Sequence, residues 1–219
     1  MGNCQCLNYI ISSQKVIHLS DLNKIDNQNK TNNSTTIPSI HSIDNLFEKK
    51  VLKEINFVRT NPKEYANKMK GLTKNILKEN NEYFYQNKNN LSEKKIVLKS
   101  GSKIFFETID YLEKLEPINE LIWNDELRIE YQNDNIILTK ENLGKIILNK
   151  RLELLKNYEN CHFNIDVFRE PKLSILFQIL DENFDKKRRN AILNKKFSMI
   201  AINSLKDKEN NFYSICCFV

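Results

Sequence analysis

Phe197–Leu205 and Phe212–Val219 are two apolar runs separated by the polar hexapeptide KDKENN, and no other stretch constrains the fold as much. Each run has the length and apolar content of a strand. The charged, Asn-containing segment between them favours a turn, so the spacing predicts an antiparallel hairpin. The second run reads as a continuous core strand. Its cysteines, Cys216 and Cys217, formally belong to a prenylation box, but Val219 is not among the usual final residues of such a box, and burial is the expected fate of both.

The preceding residues carry helical rather than strand periodicity. Phe47, Val51, Ile55 and Val58 form one stripe that Asp44 is placed to cap. Asn61-Pro62 interrupts that helix, and Tyr65, Ala66 and Met69 resume it. Asn80 to Lys95 reads as a polar, lysine-rich loop. Ile104, Phe105, Ile109 and Leu112 mark a further helix ending near Pro117, and Trp123-Asn124-Asp125 opens another through Leu127 and Tyr131. Cys161 to Phe168 is a candidate strand. Leu173, Leu176, Phe177 and Leu180 give a helix with one narrow apolar face. With helices early and strands late, the expected class is α+β, helices packed on a sheet.

Residues 20–42 are polar and Asn-rich, with too little apolar surface to offset the entropy of ordering, and read as a flexible tether. The expected organisation is therefore an N-terminal segment 1–19, the tether 20–42 and a folded domain 43–219. No apolar run approaches the roughly 20 residues of a membrane-spanning helix. The opening MGNCQCLNYIISS lacks the basic leader of a signal peptide. The five cysteines are odd in number and do not form a disulfide framework, which implies a reducing, cytosolic-side location.

Met1-Gly2 is similar to an N-myristoylation signal, with Cys6 where Ser or Thr is usual. Cys4 and Cys6 lie where a first acyl chain would present them for palmitoylation. Because one myristoyl chain binds membranes only marginally, Gly2, Cys4 and Cys6 together make the coherent anchor. Lys+Arg 34 against Asp+Glu 28 gives a net charge of +6, which suits an anionic membrane face. The basic residues are dispersed and do not alternate with aromatic ones, so nucleic acid is not an expected partner.

One segment, DKKRRNAILNKKF (Asp185–Phe197), combines six basic residues with an apolar pattern at Ala191, Ile192, Leu193 and Phe197. Lys186, Lys187, Arg189, Lys195 and Lys196 are candidate contacts to an anionic surface. The apolar positions read as packing residues.

Four motifs, in order, resemble the CAP superfamily (SCP-like domains of the cysteine-rich secretory, antigen-5 and pathogenesis-related proteins) in its protist and bacterial form. They are EINFVRTNPKEYANKM (Glu54–Met69), FFETIDYLEKLEPINELIWNDEL (Phe105–Leu127), YENCHFNID (Tyr158–Asp166) and SILFQILDENFDKKRRNAILNKKFSMIAI (Ser174–Ile202). The resemblance implies an α-β-α sandwich with a mainly antiparallel sheet. It also implies a cleft where two family histidines and acidic partners hold a divalent metal. Here those positions are Asp134 and Arg188, and Glu159 matches the acidic residue.

Imidazole serves as a metal ligand and as a base near neutrality; a guanidinium, protonated at ordinary pH, does neither. The expectation is therefore no metal, no cofactor and no catalytic residue, with Asp134 and Arg188 joined in an ion pair across a vestigial cleft and Glu159 as a further partner. His18 and His41 precede the domain, and His162 reads as a satisfied strand residue. Cys161 and His162, as strand neighbours, point to opposite faces and cannot form a catalytic pair.

The implied function is that of a membrane-anchored, non-catalytic module on the cytosolic membrane face, as in the family's unsecreted, myristoylated Golgi-associated branch. It would contact an unknown protein partner, or sterol, fatty acid or anionic phospholipid. The alternatives are a soluble sterol or fatty-acid carrier and a residual hydrolase.

Overall fold

A computed structural model of the chain describes residues 41–86, 95–129, 139–207 and 210–219. The anchor segment with Gly2, Cys4 and Cys6, residues 20–40 of the tether, and Asp134 lie outside the described residues. The class is α+β. Helix α1 (His41–Thr60) begins before the expected boundary at residue 43, so Asp44 sits inside its first turn and not at its cap. Asn61 breaks the chain direction, and Pro62 opens α2 (Pro62–Leu72) at a position where its missing N–H costs nothing.

The segment after α2 departs from expectation. Ile76–Glu79 (β1), Glu82–Tyr85 (β2) and Ile96–Leu98 (β3) form an antiparallel three-stranded meander, so the expected loop at 80–95 contains a strand. Asn80 and Asn81 join β1 to β2 with φ of 46° and 65°. Two positive φ values define the turn whose twist matches a hairpin, and Asn tolerates them better than most residues. Tyr85 then stacks on Phe105 at 6.0 Å and meets Phe177 edge-on at 5.7 Å, which attaches the meander to the main core.

Helix α3 (Lys103–Lys114) buries Ile104, Phe105, Ile109 and Leu112, as its period predicts. The expected helix after Trp123 is instead one 3-10 turn, Asp125–Leu127. Asn124 accepts the backbone N–H of Glu126, and Arg128 turns extended, which stops propagation. A 15-residue helix, α4 (Lys140–Leu154), follows; its Thr139–Asn142 capping box satisfies two end groups reciprocally. Next come β5 (His162–Asp166), α5 (Pro171–Leu180), α6 (Lys187–Ile192), β6 (Met199–Lys206) and β7 (Phe212–Phe218).

β6 and β7 form the expected antiparallel hairpin. β5 pairs antiparallel with β7, and the two-residue β4 (Ile122–Trp123) pairs parallel with β6, giving the order β4-β6-β7-β5. Every residue of β7 is buried, Cys216 and Cys217 among them. The strand alternation divides the core between two faces. Ile200, Ile202, Cys216 and Phe218 pack with α1, α2, α3, α5 and α6. Ala201, Tyr213, Ile215 and Cys217 face the other way, where Leu143, Ile147 and Leu154 of α4 cover them. Helix α5 is buried on all sides from Ser174 to Leu180, not along one narrow face, because it lies between the sheet and α1.

Arg59, at the end of α1, is fully buried and joins two distant segments to its helix. Its Nε donates to Asn119 O at 2.7 Å, and Nη1 donates to Ile192 O at 2.6 Å and Asn194 O at 3.1 Å. Nη2 donates to Phe197 O at 3.1 Å. Burial lowers its pKa to about 10, so it remains charged at neutral pH. Arg59→Ala removes this donor from the buried Ile192 and Phe197 carbonyls and is expected to cost about 4 kcal/mol. Arg59→Lys, which keeps the charge without the fork, recovers only part of this. Chemical denaturation of both variants checks the expectation; a loss below about 1 kcal/mol for Arg59→Ala, the value of a single ordinary hydrogen bond, would contradict it.

Candidate functional site

The DKKRRNAILNKKF segment is organised by an acid that lies just before it. Asp181 ends α5 with a left-handed φ of 33° and a side chain that is fully buried. Its Oδ2 accepts the backbone N–H groups of Arg188 at 2.8 Å and Arg189 at 3.4 Å, and its Oδ1 accepts Arg188 Nε at 3.3 Å. One carboxylate thus terminates α5, caps the start of α6 and neutralises Arg188. Lys186 donates from Nζ to Asp181 O at 2.9 Å and lies 3.7 Å from Glu107.

Arg189 was a candidate surface cation, and here the structure corrects the sequence. The residue is 3% exposed. Its guanidinium donates to Ile179 O at 2.7 Å, Leu180 O at 2.9 Å and Thr108 Oγ1 at 2.7 Å, and pairs with Glu107 at 3.4 Å. These bonds satisfy carbonyls at the end of α5, which no helix continues. Lys187 pairs with Asp185 at 2.9 Å. Of the candidate surface cations, Lys195 and Lys196 are exposed. Ala191, Ile192, Leu193 and Phe197 are buried in the main core.

Arg188 therefore has an ion-pair partner, and it is Asp181. Glu159 lies exposed on the bend between α4 and β5 and makes no ion pair with Arg188 among the described residues. The expected pair of Arg188 with Asp134 falls outside the described residues, and among them Glu159 does not join Arg188.

What the sequence did not single out is a polar row on β5. His162, Asn164 and Asp166 alternate onto the face turned toward α5 and α6. His162 Nε2 lies 3.0 Å from Asn164 Oδ1. Asn164 Nδ2 donates to Gln178 Oε1 at 2.9 Å and Arg188 O at 3.1 Å. Asp166 accepts from Gln178 Nε2 at 2.6 Å, Ser174 Oγ at 2.7 Å and the Phe168 N–H at 3.0 Å. The sequence signal was available in the polar alternation HFNID inside an otherwise apolar strand.

The row contains Ser, His and Asp but not the geometry of nucleophilic catalysis. Ser174 is fully buried and hydrogen-bonds Asp166 directly, whereas His162 bonds the amide of Asn164. No imidazole reaches the hydroxyl, and its carboxylate partner lies in the closed interior with it. Burial lowers the His162 pKa, so the ring is neutral at pH 7. Among the described residues, no group of three or more His, Cys, Asp or Glu side chains is arranged to hold a metal ion. A cleft of about 710 Å³ opens elsewhere, beside α4, where Glu126, Asn149, Lys150 and Glu153 mix with Ile129, Ile146 and Tyr158. Among the described residues no helix is long and apolar enough to cross a membrane.

No family model, curated protein or solved structure matches the chain.

Asp166 gives the polar row a pH signature. Burial raises its pKa from 3.8 to about 6, against the opposing pull of its hydrogen bonds. The folded state therefore holds a proton that the unfolded chain releases, and stability falls as pH rises through that interval. The full shift corresponds to about 3 kcal/mol. Asp166→Asn should flatten this slope, so the stability difference between wild type and variant should change between pH 4 and 6 and level off above. Urea titrations across that range check it; parallel curves would contradict it.

Proposed function

We propose that this chain is a non-catalytic domain of CAP type. It is held on the cytosolic face of a membrane by acyl chains at Gly2, Cys4 and Cys6, and acts there as a lipid- or protein-interaction module. One observation carries the non-catalytic reading. Position 188, where the resemblance places a histidine, holds a guanidinium bound to the buried Asp181 carboxylate. A charged arginine so committed neither ligates a metal nor accepts a proton at neutral pH. The CAP-type sandwich is supported by helices on both faces of the four-stranded sheet, with the final hairpin at its centre. The non-catalytic reading is further supported by Arg188 and Arg189, whose guanidinium groups are engaged in tying α6 to α5 and α3.

Metabolic labelling with an alkyne myristate, followed by fractionation, tests the anchor. Wild type should be labelled and pellet with membranes; Gly2→Ala should be unlabelled and soluble. Wild type that is unlabelled and soluble would contradict the anchored reading. Arg188→Ala, made in the same background, should lower the melting temperature and leave the membrane-bound fraction unchanged. A drop in that fraction without a change in melting would instead assign Arg188 to the membrane contact.

A further inference from the structure

The surface of α4 away from the sheet is apolar where solvent would favour polar residues. Leu143, Ile147 and Leu154 point inward. Leu148, Leu152 and Leu155 stand at i, i+4 and i+7 on the outer side, 38%, 57% and 43% exposed, with Leu155 at the helix cap. At 100° per residue the three leucines fall within a narrow arc, distinct from the side that lines the cleft. Lys145 and Lys156, both exposed, bracket this stripe and have no ion-pair partner among the described residues. The acid nearest in sequence, Glu153, points toward the cleft and is paired with Lys150 at 2.9 Å. The leucines thus form a line roughly 10 Å long, at 1.5 Å per residue, with an exposed lysine beyond each end.

We propose that this face of α4 lies on the surface of an anionic lipid bilayer, leucines in the headgroup–acyl boundary and Lys145 and Lys156 among the phosphates. The proposal deepens the anchored reading by naming the part of the domain that faces the membrane. Charge decides between a bilayer and a second copy of the chain. Two such stripes packed antiparallel set Lys145 against Lys156 at both ends, and packed parallel set each lysine against itself; either way like charges meet and destabilise the pair. A negatively charged surface accepts both cations and the leucines between them.

A second exposed apolar residue, Phe184, is fully exposed on the α5–α6 loop but has a different electrostatic setting. Its neighbours Lys186 and Lys187 already face Glu107 and Asp185, so the loop offers no free cation next to the ring.

The test uses the full chain made without an acyltransferase, so that no lipid anchor contributes. It is sedimented with vesicles of phosphatidylcholine alone and with vesicles containing phosphatidylserine at a molar ratio of about 7:3, a range in which the surface potential attracts basic segments. The expected result is binding to the phosphatidylserine vesicles only. It should weaken at least about tenfold in Leu148→Ser/Leu152→Ser/Leu155→Ser and in Lys145→Glu/Lys156→Glu. All substituted side chains are exposed, and thermal melting confirms that the variants fold. Binding that is absent in wild type, or unchanged in both variants, overturns the proposal. So does a wild-type dimer, seen by light scattering, that the leucine variant converts to monomer. Because the acyl anchor is read separately by myristate labelling, failure here leaves that reading standing, and failure of labelling leaves vesicle binding by α4 unaffected.

Discussion

The buried guanidinium of Arg59 solves a problem set by the chain's topology. Between α6 and β6 the backbone leaves a short helix and enters a central strand without a regular hydrogen-bonding pattern, and it does so inside the core. The carbonyls of Ile192 and Phe197 meet Arg59 in the buried interior, and those of Asn194 and of Asn119, in the segment before β4, approach it from partly buried positions. Buried carbonyls must be satisfied, and a planar fork of fixed N–H donors does so from a single side chain. The arrangement has its own constraint. A buried cation without a carboxylate is stabilised only while those dipoles converge on it, so the end of α1, the strand β4 and the entry to β6 are fixed relative to one another.

Arg188 and Arg189 extend the same chemistry to α6. The helix is only six residues long and has weak cooperativity of its own. Asp181 holds its first turn, and Arg189 binds the carbonyls that α5 leaves open. Arg189 and the last two lysines of this segment separate by chemistry. Arg189, with several donors in a plane, is inside, whereas Lys195 and Lys196, point charges with strong hydration, are outside. A stretch that is basic by composition is thus partly an internal tie and only partly a surface.

Much of this architecture is legible in the residues themselves. The stripe Val51, Ile55, Val58 gave α1, Asn61-Pro62 its end, and the two apolar runs the β6–β7 hairpin. The meander was hidden because β1 and β2 are four residues each and carry charged positions; the Asn80-Asn81 turn was the one local signal. Helix α4 was hidden for a different reason. Its leucines and isoleucines occupy an inward face and an outward one, so no single amphipathic stripe stands out, although Thr139 and Asn142 mark its start. Arg59 lies four residues after Ile55, on the buried side of its helix, and that spacing was the signal available for it. At the candidate site, position 188 was legible as a cation in need of a carboxylate, but its identity as Asp181 was not. That pairing depends on the left-handed turn that folds the end of α5 back onto the start of α6.

The α4 stripe and the acyl positions at Gly2, Cys4 and Cys6 combine into one proposed account of attachment, in which a helix face sets the orientation and acyl chains set the residence. Hydroxyl-radical footprinting of the myristoylated chain, free and on phosphatidylserine-containing vesicles, tests that account most directly. It predicts that Leu148, Leu152 and Leu155 lose reactivity on the vesicles while the exposed Phe184 keeps its own. Protection of Phe184 with the three leucines unchanged would place the opposite surface on the membrane and contradict it.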